Sequence, residues 1–115
     1  MLTSKEIAHL AVKALDDKLA RDIQILKTDK VTVLADYFIL CTAGNSTHGK
    51  TLADEVDKVL SQAGEPPLRR EGYRSGGWTL LDFGCVVVHI FSEEMRSFYS
   101  LDRLWSDAEK IDYKD

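Results

Sequence analysis

Two β-forming runs, Trp78 to Phe83 and Cys85 to Phe91, are separated by Gly84 alone. Runs of this composition joined by a Gly-centred turn read as a β-hairpin, so a sheet is built into the fold and its faces must be covered. The covering helices are also legible. Thr3 followed by Glu6 reads as a capping box, and Ile7, Leu10, Ala11, Ala14 and Leu15 then recur at helical spacing. A second amphipathic helix is expected from about Thr47 to Ala63 on Leu52, Ala53, Val56, Val59 and Leu60, with Gly64 as its stop before Pro66 and Pro67. Between the helices, Ile23 and Ile25 alternate with polar neighbours, and after a polar turn at Thr28, Asp29 and Lys30 a second strand centres on Tyr37 to Cys41. These two strands are expected to pair antiparallel. A further strand is expected at Leu68 to Glu71, and GYRSGG is the one clear loop. Ser92 caps a third helix whose first turn carries Glu93 and Glu94, followed by Phe98, Tyr99, Leu101, Leu104 and Trp105. The order α-β-β-α-β-β-β-α implies an α/β fold: a mixed β-sheet with helices mainly on one face.

At 115 residues, the chain has room for one core. We read residues 1–110 as a single domain and 111–115 as a frayed tail. Apolar residues at 44% and charged residues at 30% exclude collagen-like and wholly disordered classes. The 15 basic and 19 acidic residues give a net charge of -4, the wrong sign for a protein that relies on neutralising phosphates. Little direct nucleic-acid binding is expected, and a basic protein is the better partner. The N-terminus mixes acids and bases throughout and lacks a signal-peptide pattern, and no uncharged stretch reaches the ~18 residues of a membrane span. Cys41 and Cys85 lie in apolar runs without metal-ligand spacing, which suits reduced thiols and a cytoplasmic location.

One short motif points elsewhere. The stretch from Gly44 to Thr51, with Gly49 and Lys50 before the threonine, satisfies the GxxxxGK[ST] pattern of phosphate loops, in which backbone amides cradle phosphates and the lysine reaches them. Thr79 to Asp82 even resembles the strand that ends in a metal-binding aspartate. Against this, Asp82 sits on the first arm of a hairpin, whereas the phosphate-loop fold needs that strand parallel to the loop strand. A Gly/Asn/Ser turn capping a helix, with Lys50 in solvent, accounts for the same residues.

Other catalytic patterns are weaker. His9, His48 and His89 show no metal-binding spacing. Cys85 and His89 share a strand face but are about 13 Å apart at ~3.3 Å per residue, too far for a nucleophile and its base. Asp36, Asp54, Asp82, Glu93 and Glu94 form no DxD-type pair for two metal ions. Neither a cofactor nor a metal is implied. Trp78, Tyr99 and Trp105 are large aromatics beside polar residues, serving as core plugs or interface anchors.

Longer strings are more specific. Ala35 to Phe38, Ala53 to Val56, Glu71-Gly72, Trp78, Leu81 to Gly84, Val88 to Phe91 and Arg96 to Trp105 occur in an order similar to that of the Iojap family of ribosomal silencing factors, and the resemblance spans about Thr3 to Trp105. It implies a nucleotidyltransferase-like α/β fold without the catalytic carboxylates, and a noncatalytic protein rather than an enzyme. It further implies binding to the large ribosomal subunit through ribosomal protein fourteen. Such binding blocks association with the small subunit and represses translation when nutrients are scarce. Homodimers also occur in the family.

Carried across on the matched strings, the partner-binding residues are Glu71, Trp78, Leu80, Asp82, His89 and Tyr99. Trp78, Leu80 and Asp82 have period-two spacing and so share one strand face. Two positions depart from the family pattern: Cys85 stands where Asp is usual, and Thr47 where Arg is frequent. The rival reading is a small nucleotide-binding phosphohydrolase using Gly44, Gly49, Lys50 and Thr51.

Overall fold

In the computed structural model, residues 2–27, 35–73, 77–95 and 109–111 are described. Helix α1 spans Ser4–Asp17. Thr3 caps it through a two-way exchange, its side chain accepting from the Glu6 amide while the Glu6 carboxylate accepts from the Thr3 amide. Strands β1 (Arg21–Lys27) and β2 (Tyr37–Ala43) pair antiparallel, as their alternation predicts. Helix α2 (Ser46–Gln62) follows, then β3 (Arg69–Tyr73), β4 (Trp78–Asp82) and β5 (Val86–Ser92). The β4–β5 hairpin forms across the Gly84 turn, and β3 pairs antiparallel on its far side.

Two features go beyond what local sequence patterns indicate. β5 lies parallel to β2, with Tyr37 opposite Val86 and Ala43 opposite Ser92, so the hairpin is inserted against the centre of the sheet. A sixth strand, β6 (Glu109–Ile111), pairs antiparallel with β1 and places Ile111 opposite Ile25, at the point where the sequence leads one to expect a frayed tail. The mixed sheet therefore has the order β3-β4-β5-β2-β1-β6. The third helix is described only over residues 93–95, where Ser92 Oγ accepts from the Met95 amide; the rest of that expected helix, Tyr99 and Trp105 included, lies outside the described residues.

Both helices cover one sheet face. Ile7, Ala11, Val12 and Leu15 of α1 and Leu52, Val56 and Leu60 of α2 are buried against Ile25, Ile39, Cys41, Leu81, Val88 and Ile90. The inward-facing residues of β2, β4 and β5 recur at every second position, as a pleated strand requires. Arg70 of β3 bonds Asp54 and Asp57 of α2 and so ties the sheet edge to the helix layer.

The turn between β4 and β5 depends on one glycine. Gly84 has φ +85°, a left-handed conformation in which a Cβ is strained, although the space there is adequate, since an added Cβ would meet Leu68 Cδ1 at 3.4 Å. Gly84→Ala is expected to lower stability by ~1 kcal/mol through backbone strain alone, measured as a reduced urea midpoint at unchanged slope.

Candidate functional site

The sheet face away from the helices carries a second cluster in which Leu26, Leu40 and Phe91 are fully buried, and Phe38, Trp78 and Met95 pack against them. Register explains how the cluster assembles. One row runs across five strands through Glu71, Leu80, His89, Leu40 and Gln24, each residue opposite the next. Trp78 and Asp82 flank Leu80 at two-residue spacing and lie opposite Phe91 and Val87. Five of the six residues carried over from the family strings, Glu71, Trp78, Leu80, Asp82 and His89, thus share one face; Tyr99 lies outside the described residues.

Their environments differ sharply. Leu80 and Trp78 are half-buried, and the indole packs on Phe91 with ring centroids 5.2 Å apart. His89 is only 5% exposed, so its ring underlies the face rather than standing on it. The Trp78 indole N–H donates to His89 Nδ1 over 3.2 Å, and Phe38 and Phe91 flank the imidazole with centroids 5.1 and 6.0 Å away. Burial in this aromatic box pushes the imidazole pKa down to about 4, against a smaller upward pull from Asp82. The ring is therefore neutral near pH 7. Because Nδ1 accepts, the proton resides on Nε2, which is buried and has no hydrogen-bond partner among the described residues.

The rim is charged. Arg69, which period-two spacing from Glu71 puts on the same face, lies 3.7 Å from the Glu71 carboxylate and 3.4 Å from that of Asp82. The three groups together carry one net negative charge. Sequence reasoning missed Arg69, although the Arg-x-Glu spacing on an edge strand was the available signal. Asp82 also holds the backbone: its Oδ1 accepts from the Gly84 amide at 2.8 Å and so pins the hairpin turn. A substitution at Asp82 must preserve that acceptor to report on charge alone.

The phosphate-loop-like residues take a different form. Helix α2 begins at Ser46, leaving only a two-residue turn, and Asn45 caps it by accepting from the His48 amide at 2.8 Å. The Gly44 amide donates to His48 Nδ1 at 2.8 Å, and the Gly49 amide is consumed by the Asn45 carbonyl. His48 Nε2 donates in turn to the Lys18 carbonyl at 2.7 Å and joins the end of α1 to the start of α2. Amides that a phosphate would need are thus bonded within the chain. Asp82 lies on β4, which runs antiparallel to β5 and hence to β2, so the strand that would carry the aspartate of a phosphate-loop site has the wrong direction. Lys50 is exposed. Lys50→Ala is expected to change stability by less than ~0.5 kcal/mol, and calorimetric titration with ATP or GTP and magnesium should give no saturable heat.

Cys85 is partly exposed, and burial pushes its thiol pKa above the usual value, with Asp36 and Glu65 adding to the effect. That is the opposite of an activated nucleophile. Among the described residues, no group of three or more His, Cys, Asp or Glu side chains could hold a metal ion, and no helix is long and apolar enough to cross a membrane.

Fold and face together define a mixed α/β domain with α1 and α2 on one side of the sheet and an aromatic cluster rimmed by charge on the other. The chain belongs to the family described as "Ribosomal silencing factor during starvation", whose model matches residues 1–115. It is 35% identical to the ribosomal silencing factor RsfS of Halalkalibacterium halodurans over 96% of this chain and 95% of that protein. It is also 31% identical to the chloroplastic protein Iojap of Zea mays, over 87% of this chain and 43% of the maize protein. A crystal structure of a Chromobacterium violaceum protein superposes with a TM-score of 0.88 at 37% identity, covering 91% of this chain and 88% of the other.

Proposed function

We propose that this chain is a noncatalytic ribosomal silencing factor that acts in the cytoplasm. It binds the large ribosomal subunit through ribosomal protein fourteen and blocks joining of the small subunit, repressing translation under nutrient limitation. The observation that carries this reading is the gathering of Glu71, Trp78, Leu80 and Asp82 on the sheet face opposite α1 and α2, within a chain of the silencing-factor family. A half-buried aromatic beside a leucine, rimmed by acids, has the composition of an interface centre. The net charge of -4 favours docking onto a basic ribosomal protein, because complementary potentials speed and orient encounter. Self-association as a homodimer belongs to the same family-based reading, and light scattering on the purified protein measures it.

Cosedimentation with isolated subunits tests the assignment. The protein should travel with the large subunit and not with the small one, and added salt should weaken the complex moderately by screening the rim charges. Equal recovery with both subunits, or with neither, contradicts it.

A further inference from the structure

His89 occupies a position where an apolar residue would pack at less cost. Its neighbours Phe38, Phe91 and Trp78 make an aromatic box, its exposure is 5%, and its Nε2–H has no acceptor among the described residues. A buried donor without a partner loses its hydration uncompensated, and a phenyl or isobutyl group in the same box would carry no such penalty. What the imidazole supplies, and those groups cannot, is an acceptor for the indole N–H of Trp78 at 3.2 Å. Ring stacking leaves tilt and slide loosely defined, whereas a directed hydrogen bond from the indole's single donor fixes both edge and tilt. The bond also joins the two arms of one hairpin, since Trp78 lies on β4 and His89 on β5.

We propose that His89 is a positioning residue: by accepting the Trp78 indole N–H at Nδ1, it sets the orientation in which the indole meets the large ribosomal subunit. This rests on the reading that Trp78 is a partner contact. His89 itself does not touch the partner. Its contribution is preorganisation, which raises affinity by removing the cost of ordering the aromatic on binding.

The test has a spectroscopic arm and a binding arm. In 15N-labelled wild-type protein at pH 7, long-range 1H–15N correlation should show His89 as the Nε2–H tautomer. The Trp78 indole resonance, told from that of Trp105 by its loss in Trp78→Phe, should exchange slowly with solvent. The Nδ1–H tautomer, or rapid exchange of that indole proton, overturns the proposal in the unmodified chain. In the binding arm, His89→Leu should weaken large-subunit binding about tenfold, the scale of one lost hydrogen bond, while its melting temperature stays level or rises. His89→Asn, whose carbonyl oxygen can stand close to the place of Nδ1, should bind more tightly than His89→Leu even if it melts lower. Should His89→Leu not fold, His89→Phe serves in its place, because it fills the box and equally lacks the acceptor. A folded His89→Leu or His89→Phe that binds like wild type, while Trp78→Ala binds poorly, overturns the positioning role alone. Wild-type binding by a folded Trp78→Ala instead removes the contact reading on which the proposal stands.

Discussion

Trp78→Ala is expected to cost ~2 to 4 kcal/mol of affinity for the large ribosomal subunit, the range of a central aromatic anchor. The indole has apolar contact with Phe91 and a half-buried face, so truncation removes area from both the cluster and the docking surface. Its removal also strips His89 Nδ1 of its donor, leaving both ring nitrogens without a partner among the described residues. Some of the lost free energy will therefore appear as reduced fold stability, and thermal melts must accompany the binding isotherm. Salt separates the indole from the charged rim: the apolar part of the indole's effect persists as ionic strength rises, while the contribution of Glu71 and Asp82 fades. Binding is read by titrating fluorescently labelled protein with large subunits at two salt concentrations.

A second large effect concerns acid stability. The His89 pKa is about 4 in the folded chain, against an ordinary value of 6.5 that the unfolded chain recovers. The unfolded state thus binds the proton more readily, and stability rises with pH wherever the two states differ in protonation. The contribution is fully present above pH 6.5. It is lost progressively as pH falls from 6.5 to 4 and does not change further below that range. The linked loss is roughly 3 kcal/mol, which is large beside a typical domain stability of ~5 to 15 kcal/mol. Protonation also converts Nδ1 from acceptor to donor and so breaks the bond from Trp78. Urea melts across this interval should show the wild-type midpoint dropping, and His89→Leu should flatten that dependence. An unchanged slope in the variant would assign the acid sensitivity to other groups.

Those two residues also show what was legible in the sequence and what was not. The capping box at Thr3 and Glu6 and the Gly84 turn are local patterns, and the chain displays both. Trp78, Leu80 and Asp82 could be placed on one face because strand period alone decides it. The fate of His89 could not be read the same way. β5 is central and apolar residues stand on both its faces, Val86, Val88 and Ile90 beneath the helices and Phe91 on the other side, so its sequence carries no alternation to say which face is which. Its parallel pairing with β2 is a contact between residues about fifty apart, invisible to any local signal. β6 is three residues long, too short for periodicity, and exists through its pairing with β1. Leu19, with φ of 64°, occupies a left-handed region that its residue type does not announce. At Gly44 to Thr51 a short pattern matched while the backbone did otherwise: the same glycine, lysine and threonine fit a cap once the helix starts at Ser46. Longer strings in the right order proved more informative than that single motif.

The central claim is that binding through the sheet face opposite α1 and α2 prevents the ribosomal subunits from joining. It is tested most directly by mixing large subunits with an excess of the protein, adding small subunits under conditions that otherwise drive association, and resolving the products on a sucrose gradient. Wild-type protein should keep the subunits apart and sediment with the large one, and folded Trp78→Ala should permit joined ribosomes to form. Complete joining in the presence of wild-type protein, or equal blocking by wild-type and folded Trp78→Ala protein, would contradict the account.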